Sequence, residues 1–388
     1  MRRLGNWGCR TLAILALAVS HAVASPTQPG AIDARIPSAS PSGFPRNDSI
    51  SVSYYPAVGS DQAPAPAVII LHPLGERSLR LWRQFAKHLA RNGIGAAAIV
   101  FPYHMDRRLP REPAGRRFIA NDVRIATQAY RQATSDISTV ATWLADQPTV
   151  DPRRIGVVGV SLGAILAHAA MGQDPRLKAG VAMLGAGDLK RLRQKSILFA
   201  LVRRNPFTSG TTEAERMLRA VDPLTTAPDN QPRHVLMVEA ARDDLVSPTA
   251  ARELWLALGK PPIQWIDTNH FALALDVQGV FRTTTAYLRS EWGMRPADAP
   301  IPRVHPPTIT LGWVAGLSAR PTLALQYQAL AIGRRPDHIA LLHIDAGLDG
   351  LGPFLGLAAT VNRYVDAGFG ARPGQNRAKP YISLHVAF

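Results

Sequence analysis

The sequence predicts an α/β fold, a mostly parallel β-sheet with helices on both faces and a small helical cap, followed by an antiparallel β-meander. Two observations predict the first part. Short apolar runs of strand type alternate with amphipathic segments of helical period, and short segments connect them. One observation predicts the second part: after a proline-rich segment, apolar residues alternate with small or polar ones. A chain of 388 residues is long enough for both parts.

The elements of the first part follow from apolar runs and helical spacing. Strands are predicted at 49–57, 65–72, 94–102, 155–160, 178–184, 233–240 and 262–267, and helices at 78–92, 121–144, 162–171, 249–258 and 277–292. Residues 188–221 are longer than a crossover between two strands needs. We interpret them as the cap, lying over the carboxyl edge of the sheet. The alternatives for its apolar side chains are one wall of a pocket for the acyl group or packing on the sheet alone. These side chains are Leu189, Leu192, Ile197, Leu198, Phe199, Leu201 and Val202.

The N-terminal residues 1–24 have the pattern of a secretory signal peptide. Three arginines among the first ten residues flank the apolar segment TLAILALAV, which is short for a bilayer span, and small residues place the cleavage site after Ala24. Cys9 would leave with the signal, so the mature chain would have no disulfide and no cysteine metal ligand. We expect an exported protein, periplasmic or associated with the outer membrane. Residues 25–48, rich in Pro, Ser and Gly, are predicted to be a flexible lead-in.

The net charge is +16, and basic residues concentrate in two clusters, at residues 107–117 and 190–204. Neither cluster has the aromatic interleaving that base stacking requires, so no nucleic-acid partner is predicted. Two interpretations stay open. The clusters are either a solvated basic surface or a surface that attracts anionic lipid and cell-envelope polymers.

The stretch RRIGVVGVSLGAILAHAA carries the strongest chemical signal. The β-branched run at 155–160 passes directly into a helix at Leu162, so the turn falls on Ser161. Such a turn crowds its neighbours, and Gly159 and Gly163 supply room because neither has a Cβ. The Ser161 hydroxyl would then stand on a strained turn in front of a helix N-terminus, which is the position of a nucleophile.

A serine nucleophile needs a base, and the base needs an orienting acid. Asp243 and Asp244 follow one predicted strand, and His270 follows the next. We prefer Asp243 as the acid because it begins a D-x-x-V pattern that leads into a helix, whereas Asp244 is expected to cap the loop or that helix. Ser161, Asp243 and His270 are thus predicted as nucleophile, acid and base.

An oxyanion formed at this serine would need backbone donors already in place. One is the N–H of Leu162, and the other should come from the turn HPLG. Pro73 has no N–H, so Leu74 is predicted as the second donor and Gly75 as its alternative, with His72 bracing the turn. The sequence contains no H-E-x-x-H motif, glycine-rich phosphate loop or carboxylate cluster, so neither a metal nor another cofactor is predicted.

The motifs HPLG, GVSLG, DDLV and NHF, in this order, resemble those of the α/β-hydrolase superfamily, and within it the branch of dienelactone hydrolases and serine esterases. The resemblance covers about residues 50–292 and implies an α/β-hydrolase domain at 49–295. It implies hydrolysis of a small-molecule or lipid carboxylic ester through an acyl-enzyme on Ser161. The chain departs from the usual pattern in having His-Pro where His-Gly is common. Alternatives are a serine peptidase or an acyltransferase with the same triad, or a non-catalytic envelope-binding protein.

The C-terminal segments predict a second domain. Residues 296–307 are predicted as a stiff proline-rich linker, and residues 308–388 as a meander of about six strands. The last strand should place Ile382, Leu384, Val386 and Phe388 on one face and Ser383, His385 and Ala387 on the other. A terminal aromatic after such a strand resembles the closing strand of outer-membrane barrels, but about eight strands is the lower limit for one chain. We therefore expect either a barrel completed by other copies at the outer membrane, or a soluble meander packed on the first domain or in a small sandwich.

Overall fold

The structure is a computed structural model that describes residues 30–60, 63–196, 199, 212–231, 234–296, 298–375 and 377–387. The predicted signal peptide lies outside these ranges. The described part of Ile32–Phe388 forms one compact unit. Among the described helices, none combines the length and the apolar character that a membrane crossing requires.

An eight-stranded, mostly parallel sheet forms the first part of the fold, which confirms the predicted α/β class. Its strands are β1 Ile32–Pro37, β2 Ser49–Tyr55, β3 Ala65–Leu71, β4 Gly95–Ile99, β5 Val150–Val160, β6 Leu177–Met183, β7 His234–Ala240 and β8 Ile263–Ile266. They are ordered β1-β2-β4-β3-β5-β6-β7-β8, and the antiparallel pairs are β1 with β2 and β2 with β4. The central strands are buried along almost their whole length, as strands covered on both faces should be.

Helices cover both faces of this sheet. They are α1 Arg80–Arg91, α2 Val123–Ala145, α3 Leu162–Gln173, α4 Leu189–Lys195, α5 Thr212–Arg219, α6 Pro223–Thr226, α7 Pro248–Ala257 and α8 Val277–Glu291. Within the predicted cap, the described residues form α4 and α5, and Leu189, Leu192 and Phe199 are buried. The remaining apolar residues predicted for the cap, Ile197, Leu198, Leu201 and Val202, lie outside the described residues.

The predicted lead-in is not a flexible segment throughout. Residues 32–37 form β1, an edge strand that pairs with β2 in the register Ile32↔Tyr54. The turn before β2 is fixed by Asp48, whose carboxylate accepts hydrogen bonds from the backbone N–H groups of Ser42 and Gly43 at 2.7 and 2.9 Å. Composition suggested flexibility, but proline and serine are compatible with an edge strand, where one row of backbone groups has no strand partner.

The interpretation of residues 107–117 as a solvated basic surface is wrong for Arg107. Its side chain is fully buried, and Nη1 lies 2.8 Å from Asp136 Oδ2. The guanidinium also donates to the backbone oxygens of Asn47 and Val100 at 2.7 and 2.9 Å. A buried cation persists only when it is paired in this way, so Arg107 belongs to the core.

The proline-rich segment at 296–307 is held against the first domain. The Pro302 carbonyl accepts hydrogen bonds from Gln264 Nε2 at 2.9 Å and from Thr283 Oγ1 at 3.0 Å. The Val304 N–H donates to Gln264 Oε1 at 3.2 Å. These contacts fix the point at which the second domain begins.

Six antiparallel strands form the second domain, and they close into a barrel. They are β9 Thr308–Ala315, β10 Thr322–Arg334, β11 Ala340–Asp349, β12 Gly352–Asn362, β13 Val365–Ala371 and β14 Lys379–Ala387. The last strand pairs with the first in the register Leu384↔Trp313. The expectation that six strands of one chain cannot close is therefore wrong, although the number of strands was predicted correctly.

Glycines explain how so few strands can close. A Cβ on Gly312 would lie 2.2 Å from the Leu384 oxygen, and a Cβ on Gly368 would lie 2.2 Å from the Leu357 oxygen. Both distances are far below contact, so any side chain would push the neighbouring strand away. Glycine at these seams permits the sharp curvature that a narrow barrel demands.

We expect Gly368→Ala to destabilise the protein by about 1–3 kcal/mol, because the added methyl group must displace the backbone of β12. Gly350→Ala is the matched control, since a Cβ there has nothing within 4 Å. Urea unfolding followed by tryptophan fluorescence measures both free energies of unfolding. Equal stability of the two variants would contradict this explanation of barrel closure.

Candidate active site

Ser161 stands on the predicted sharp turn between β5 and α3. Its backbone has φ 56° and ψ −117°, a strained conformation for a residue with a side chain. Its N–H donates to the Met183 oxygen at 2.9 Å, which ties the turn to β6. A Cβ on Gly159 would lie 2.1 Å from the Gly163 oxygen, and one on Gly163 would lie 2.2 Å from the Leu71 oxygen. Both flanking glycines are therefore needed for the close approach of α3 to the sheet.

Three predicted residues meet at the carboxyl edge of the sheet. His270 Nε2 lies 2.8 Å from Ser161 Oγ, and His270 Nδ1 lies 2.7 Å from Asp243 Oδ2. The loops after β5, β7 and β8 supply one residue each. When Nδ1–H donates to the carboxylate, Nε2 is left as an acceptor for the serine proton. The arrangement can remove a proton from Ser161 and stabilise the resulting imidazolium.

The carboxylate of Asp243 is held in place by its own loop. Oδ1 accepts hydrogen bonds from the N–H groups of Leu245 and Val246, both at 2.8 Å, and this leaves Oδ2 for His270. Behind it lies Glu239, which the sequence analysis did not single out. Burial raises the pKa of Glu239 well above its ordinary value, which favours the uncharged form of this carboxyl group beside Asp243.

The prediction that Asp244 caps the loop or the following helix is wrong. It accepts hydrogen bonds from Arg363 Nη2 at 2.5 Å and from the Tyr364 hydroxyl at 3.3 Å, both at the turn between β12 and β13. Arg363 Nη2 also donates to the backbone oxygen of Asp243 at 3.2 Å. The barrel thus contacts the loop that carries Asp243.

Arg242, on the other side of Asp243, enters the end of the barrel. Its buried guanidinium donates through Nε to Asp267 Oδ1 at 2.7 Å and through Nη2 to Gln328 Oε1 at 3.0 Å. Nη1 lies 3.2 Å from Nε2 of His385, whose side chain points into the bore. Both neighbours of Asp243 are therefore fixed to the second domain, and no pattern in the sequence predicts these contacts.

The HPLG turn is braced by His72, as expected. His72 Nε2 accepts a hydrogen bond from the Phe101 N–H at 3.1 Å, so Nδ1 carries the proton and donates to the Pro73 oxygen at 2.8 Å. In a trans peptide the carbonyl and the N–H point in opposite directions. Holding the Pro73 carbonyl therefore aims the Leu74 N–H the other way. Leu74 and Leu162 both line the pocket that contains Ser161.

The alternative donor, Gly75, already has a partner. Its N–H donates to His104 Nε2 at 3.1 Å, while His104 Nδ1 donates to the Pro102 oxygen at 2.9 Å. Burial lowers the pKa of His104 to about 4, and burial together with His104 lowers that of His72 well below its ordinary value. His104 was missed, although its place just after a predicted strand end was a usable signal.

An apolar pocket opens at Ser161. Its described lining comprises Leu74, Phe118, Ile119, Tyr130, Ser161, Leu162, Ile165, Leu192, Ser196, Phe199, Leu245, Val246 and His270. Leu192 and Phe199 belong to the predicted cap. No Asp, Glu, Lys or Arg is among these residues, so the pocket suits an apolar group.

One group of described side chains has the composition of a metal site. His343, Asp345 and Asp366 point into the barrel, with His343 Nε2 3.2 Å from Asp345 Oδ1 and 3.4 Å from Asp366 Oδ2. The carboxylates also accept hydrogen bonds from Tyr381 at 2.5 Å and from Gln328 at 3.0 Å. Tyr381, Gln328 and His343 thus lie against the two carboxylates.

Comparisons with known proteins support the fold of the first domain. A family model described as the prolyl oligopeptidase family (Peptidase_S9) matches residues 121–272, which include Ser161, Asp243 and His270. The parallel sheet, the turn at Ser161 and the order of the three residues decide the fold. The chain has the α/β-hydrolase fold. The dienelactone branch stays a prediction. No curated protein has a significantly similar sequence.

Solved structures share the hydrolase fold at low identity. The acylaminoacyl peptidase of Pyrococcus horikoshii is 13% identical, with a TM-score of 0.51, over 74% of this chain and 44% of that one. A puromycin-hydrolyzing peptidase of Mycobacterium tuberculosis is 19% identical, with a TM-score of 0.53, over 71% and 41%. A puromycin hydrolase is 16% identical, with a TM-score of 0.55, over 73% and 42%. The chain thus spans less than half the length of each.

The buried neutral histidines predict a loss of stability in acid. The unfolded chain binds a proton at His104 near pH 6.5, whereas the folded protein resists it down to about pH 4. Neutral, buried His104 therefore contributes fully to the free energy of unfolding above pH 6.5. As the pH falls, this contribution decreases by on the order of 3 kcal/mol between pH 7 and pH 4. Unfolding free energies of wild type and His104→Gln across this range measure it, and equal slopes would contradict the assignment.

The contact between the barrel and the acid loop predicts an effect at a distance. We expect Arg363→Ala to slow the reaction of Ser161 with a fluorophosphonate probe about tenfold or more, because the loop that holds Asp243 loses its anchor. Arg372→Ala is the matched control, since Arg372 pairs with Asp349 at the same 2.5 Å without touching this loop. Equal labelling rates in the two variants would show that the anchor is unimportant.

Proposed function

We propose that the chain is a serine hydrolase that cleaves carboxylic esters through an acyl-enzyme on Ser161. The observation that supports this most directly is the continuous hydrogen-bonded series Ser161–His270–Asp243 beside an apolar pocket. The match to the prolyl oligopeptidase family supports the broader class of serine hydrolases.

In the first step, Ser161 Oγ attacks the acyl carbon and His270 Nε2 takes the hydroxyl proton. Asp243 holds the imidazole with Nδ1 protonated and stabilises its cation. The negative charge on the substrate oxygen is received by the N–H groups of Leu162 and Leu74. The tetrahedral intermediate then collapses, and His270 gives its proton to the departing alcohol.

The second half of the reaction repeats these roles with water. His270 removes a proton from a water molecule, whose oxygen attacks the acyl carbon held on Ser161. The same two N–H groups receive the second oxyanion. Collapse releases the carboxylic acid and returns the proton to Ser161. These steps use side chains and backbone groups of this chain and call on no metal or cofactor.

The pocket favours an apolar acyl group over a charged one. The pocket is lined mainly by apolar side chains, and Leu192 and Phe199 from the cap would contact the acyl chain. The predicted signal peptide supports export, so we propose that the ester is met outside the cytoplasm, in the periplasm or at the outer membrane.

A peptidase is the second candidate, and the family match is the observation that favours it. The three structural neighbours are likewise named as two peptidases and a puromycin hydrolase. The same three residues can cleave an amide when the leaving nitrogen is protonated by His270. The described pocket lining, however, offers no Asp, Glu, Lys or Arg to hold a peptide terminus. An acyltransferase, or an envelope-binding protein without activity, are further alternatives.

Turnover of p-nitrophenyl esters of increasing acyl length, beside peptidyl naphthylamides, distinguishes these candidates. We expect ester turnover with a preference for apolar acyl groups. Ser161→Ala should abolish it, and Asp243→Asn should lower kcat about 10⁴-fold. Asp244→Asn is the matched control and should lose far less, because its carboxylate faces Arg363 rather than His270.

Three outcomes would contradict the proposal. Naphthylamide turnover without ester turnover would favour the peptidase. Failure of folded protein to react with a fluorophosphonate would favour the binding protein. A larger loss in Asp244→Asn than in Asp243→Asn would overturn the assignment of the acid.

A further inference from the structure

The outer wall of the barrel is apolar around its whole circumference. Side chains at the outward strand positions are exposed or partly exposed on all six strands. Representative residues, in chain order from β9 to β14, are Leu311, Trp313, Leu325, Tyr327, Leu342, Leu348, Leu355, Leu357, Phe369, Ile382 and Leu384. Trp313, for example, is 55% exposed. Ordinary soluble proteins expose apolar residues singly or in small patches, whereas here they occur on every strand of the barrel.

The bore has the opposite character over much of its length. Buried polar side chains point inward from every strand: Thr310, Gln326, Gln328, His343, Asp345, Thr360, Asp366, Ser383 and His385. Apolar and aromatic residues, including Phe354 and Tyr381, fill the remainder. In water the alternation of a small barrel should run the other way, with apolar residues inside.

Charged residues on the barrel are confined to its rims and its bore. At the end of the barrel near the hydrolase domain they include Arg334 and Arg335, and at the opposite end Arg320, Arg372 and Lys379. Between these rims, none of the described outward strand positions carries Asp, Glu, Lys or Arg. An uncharged band between charged rims is the arrangement that a hydrocarbon layer between two aqueous phases requires.

We propose that this barrel is embedded in a lipid bilayer, with its apolar wall in contact with acyl chains. A second copy of the chain would cover only one side of a closed cylinder, whereas the apolar residues occur on all six strands. Lipid is the occupant that surrounds a cylinder. The strands contain 7–13 residues, a range that includes the roughly 9–11 residues of a membrane-spanning strand.

Closure of the barrel pairs the backbone groups that would otherwise lie unpaired in the bilayer. An open sheet in hydrocarbon would leave one row of backbone N–H and C=O groups without partners on each edge. Pairing of β14 with β9 removes both edges. Burial of the ionic side chains in the bore, with Arg242 at one end, keeps their charges away from the wall.

The described hydrogen bonds between the barrel and the hydrolase domain lie at one rim. Thr308 and Ala340 bond to Asp267 at the starts of β9 and β11, and Arg363 bonds to Asp244 at the turn after β12. These three positions lie at the same end of the barrel. The embedded barrel would therefore hold the hydrolase domain at one membrane surface. The proposal does not depend on the ester-cleaving function.

Flotation of the full chain with vesicles of equal parts phosphatidylcholine and phosphatidylglycerol tests the proposal. Protein diluted from detergent should float with the vesicles and should stay bound in carbonate and in about 1 M salt, where surface charges are screened. Leu325→Glu/Leu357→Glu should reduce the bound fraction about tenfold or more, because both residues face the acyl chains. Val58→Glu/Leu256→Glu is the matched control, placed on exposed apolar residues of the hydrolase domain.

A second measurement does not rely on variants with a charged wall. Fluorescence of Trp313 should be quenched by brominated acyl chains, and the quenched component should be missing in Trp313→Phe. This quenching reports on the barrel itself, so attachment of the protein through its N-terminal apolar segment would not produce the same result.

Four results would overturn the proposal. They are release of the protein by salt, equal binding of the two double variants, quenching of Trp313 only by an aqueous quencher, and a discrete detergent-free oligomer that does not float. Release by salt would assign binding to the basic surface. A non-floating oligomer would assign the wall to copies of this chain. Fluorophosphonate labelling of each sample reports separately on the hydrolase site.

Discussion

The geometry of the site depends on the hydrogen bonds of the buried Arg242 guanidinium, which connect the hydrolase domain to the barrel. The guanidinium is charged and almost without solvent, so it requires the Asp267 carboxylate and the acceptors that Gln328 and His385 offer from the barrel. Removing partners from a buried ion costs several kcal/mol, because the remaining charge is left uncompensated. Since Asp243 is its neighbour in the chain, the position of Arg242 limits the position of the acid.

The polar bore and the apolar wall are two consequences of one alternation. A strand places successive side chains on opposite faces, so each polar residue turned inward leaves apolar neighbours facing outward. On β14, Ser383 and His385 face the bore, and Ile382 and Leu384 face outward. The inversion that gives Arg242 its acceptors therefore also produces the wall for which we propose a lipid environment.

Local patterns in the sequence were sufficient for much of the hydrolase domain. The turn at Ser161 was predictable because a strand, a serine between two glycines and a helix follow one another without a break. The order of Asp243 and His270 after successive strands was predictable for the same reason, and the structure brings all three residues together. The parallel strands were recognisable because burial on both faces produces continuous apolar runs.

The predictions that failed concern features that depend on contacts between distant parts of the chain. The burial of Arg107 depends on Asp136, and the role of Asp244 depends on Arg363, 119 residues away. Barrel closure depends on how near two strands approach at Gly312 and Gly368, which alternation along one strand does not reveal.

The two ends of the hydrogen-bonded series are supported by different parts of the molecule. Around Ser161 the support is internal to the hydrolase domain: a strained backbone fixed between β5 and α3, and a neighbouring turn braced by His72 and His104. Around Asp243 the support crosses to the barrel, through Arg242 on one side and Asp244 on the other. A hydrolase domain separated from its barrel would retain the serine turn. It would also leave Asp244 without Arg363, and Arg242 with Asp267 but without Gln328 and His385, so the acid loop would lose its contacts with the barrel. The second domain is therefore a structural part of the site, in addition to any attachment it provides.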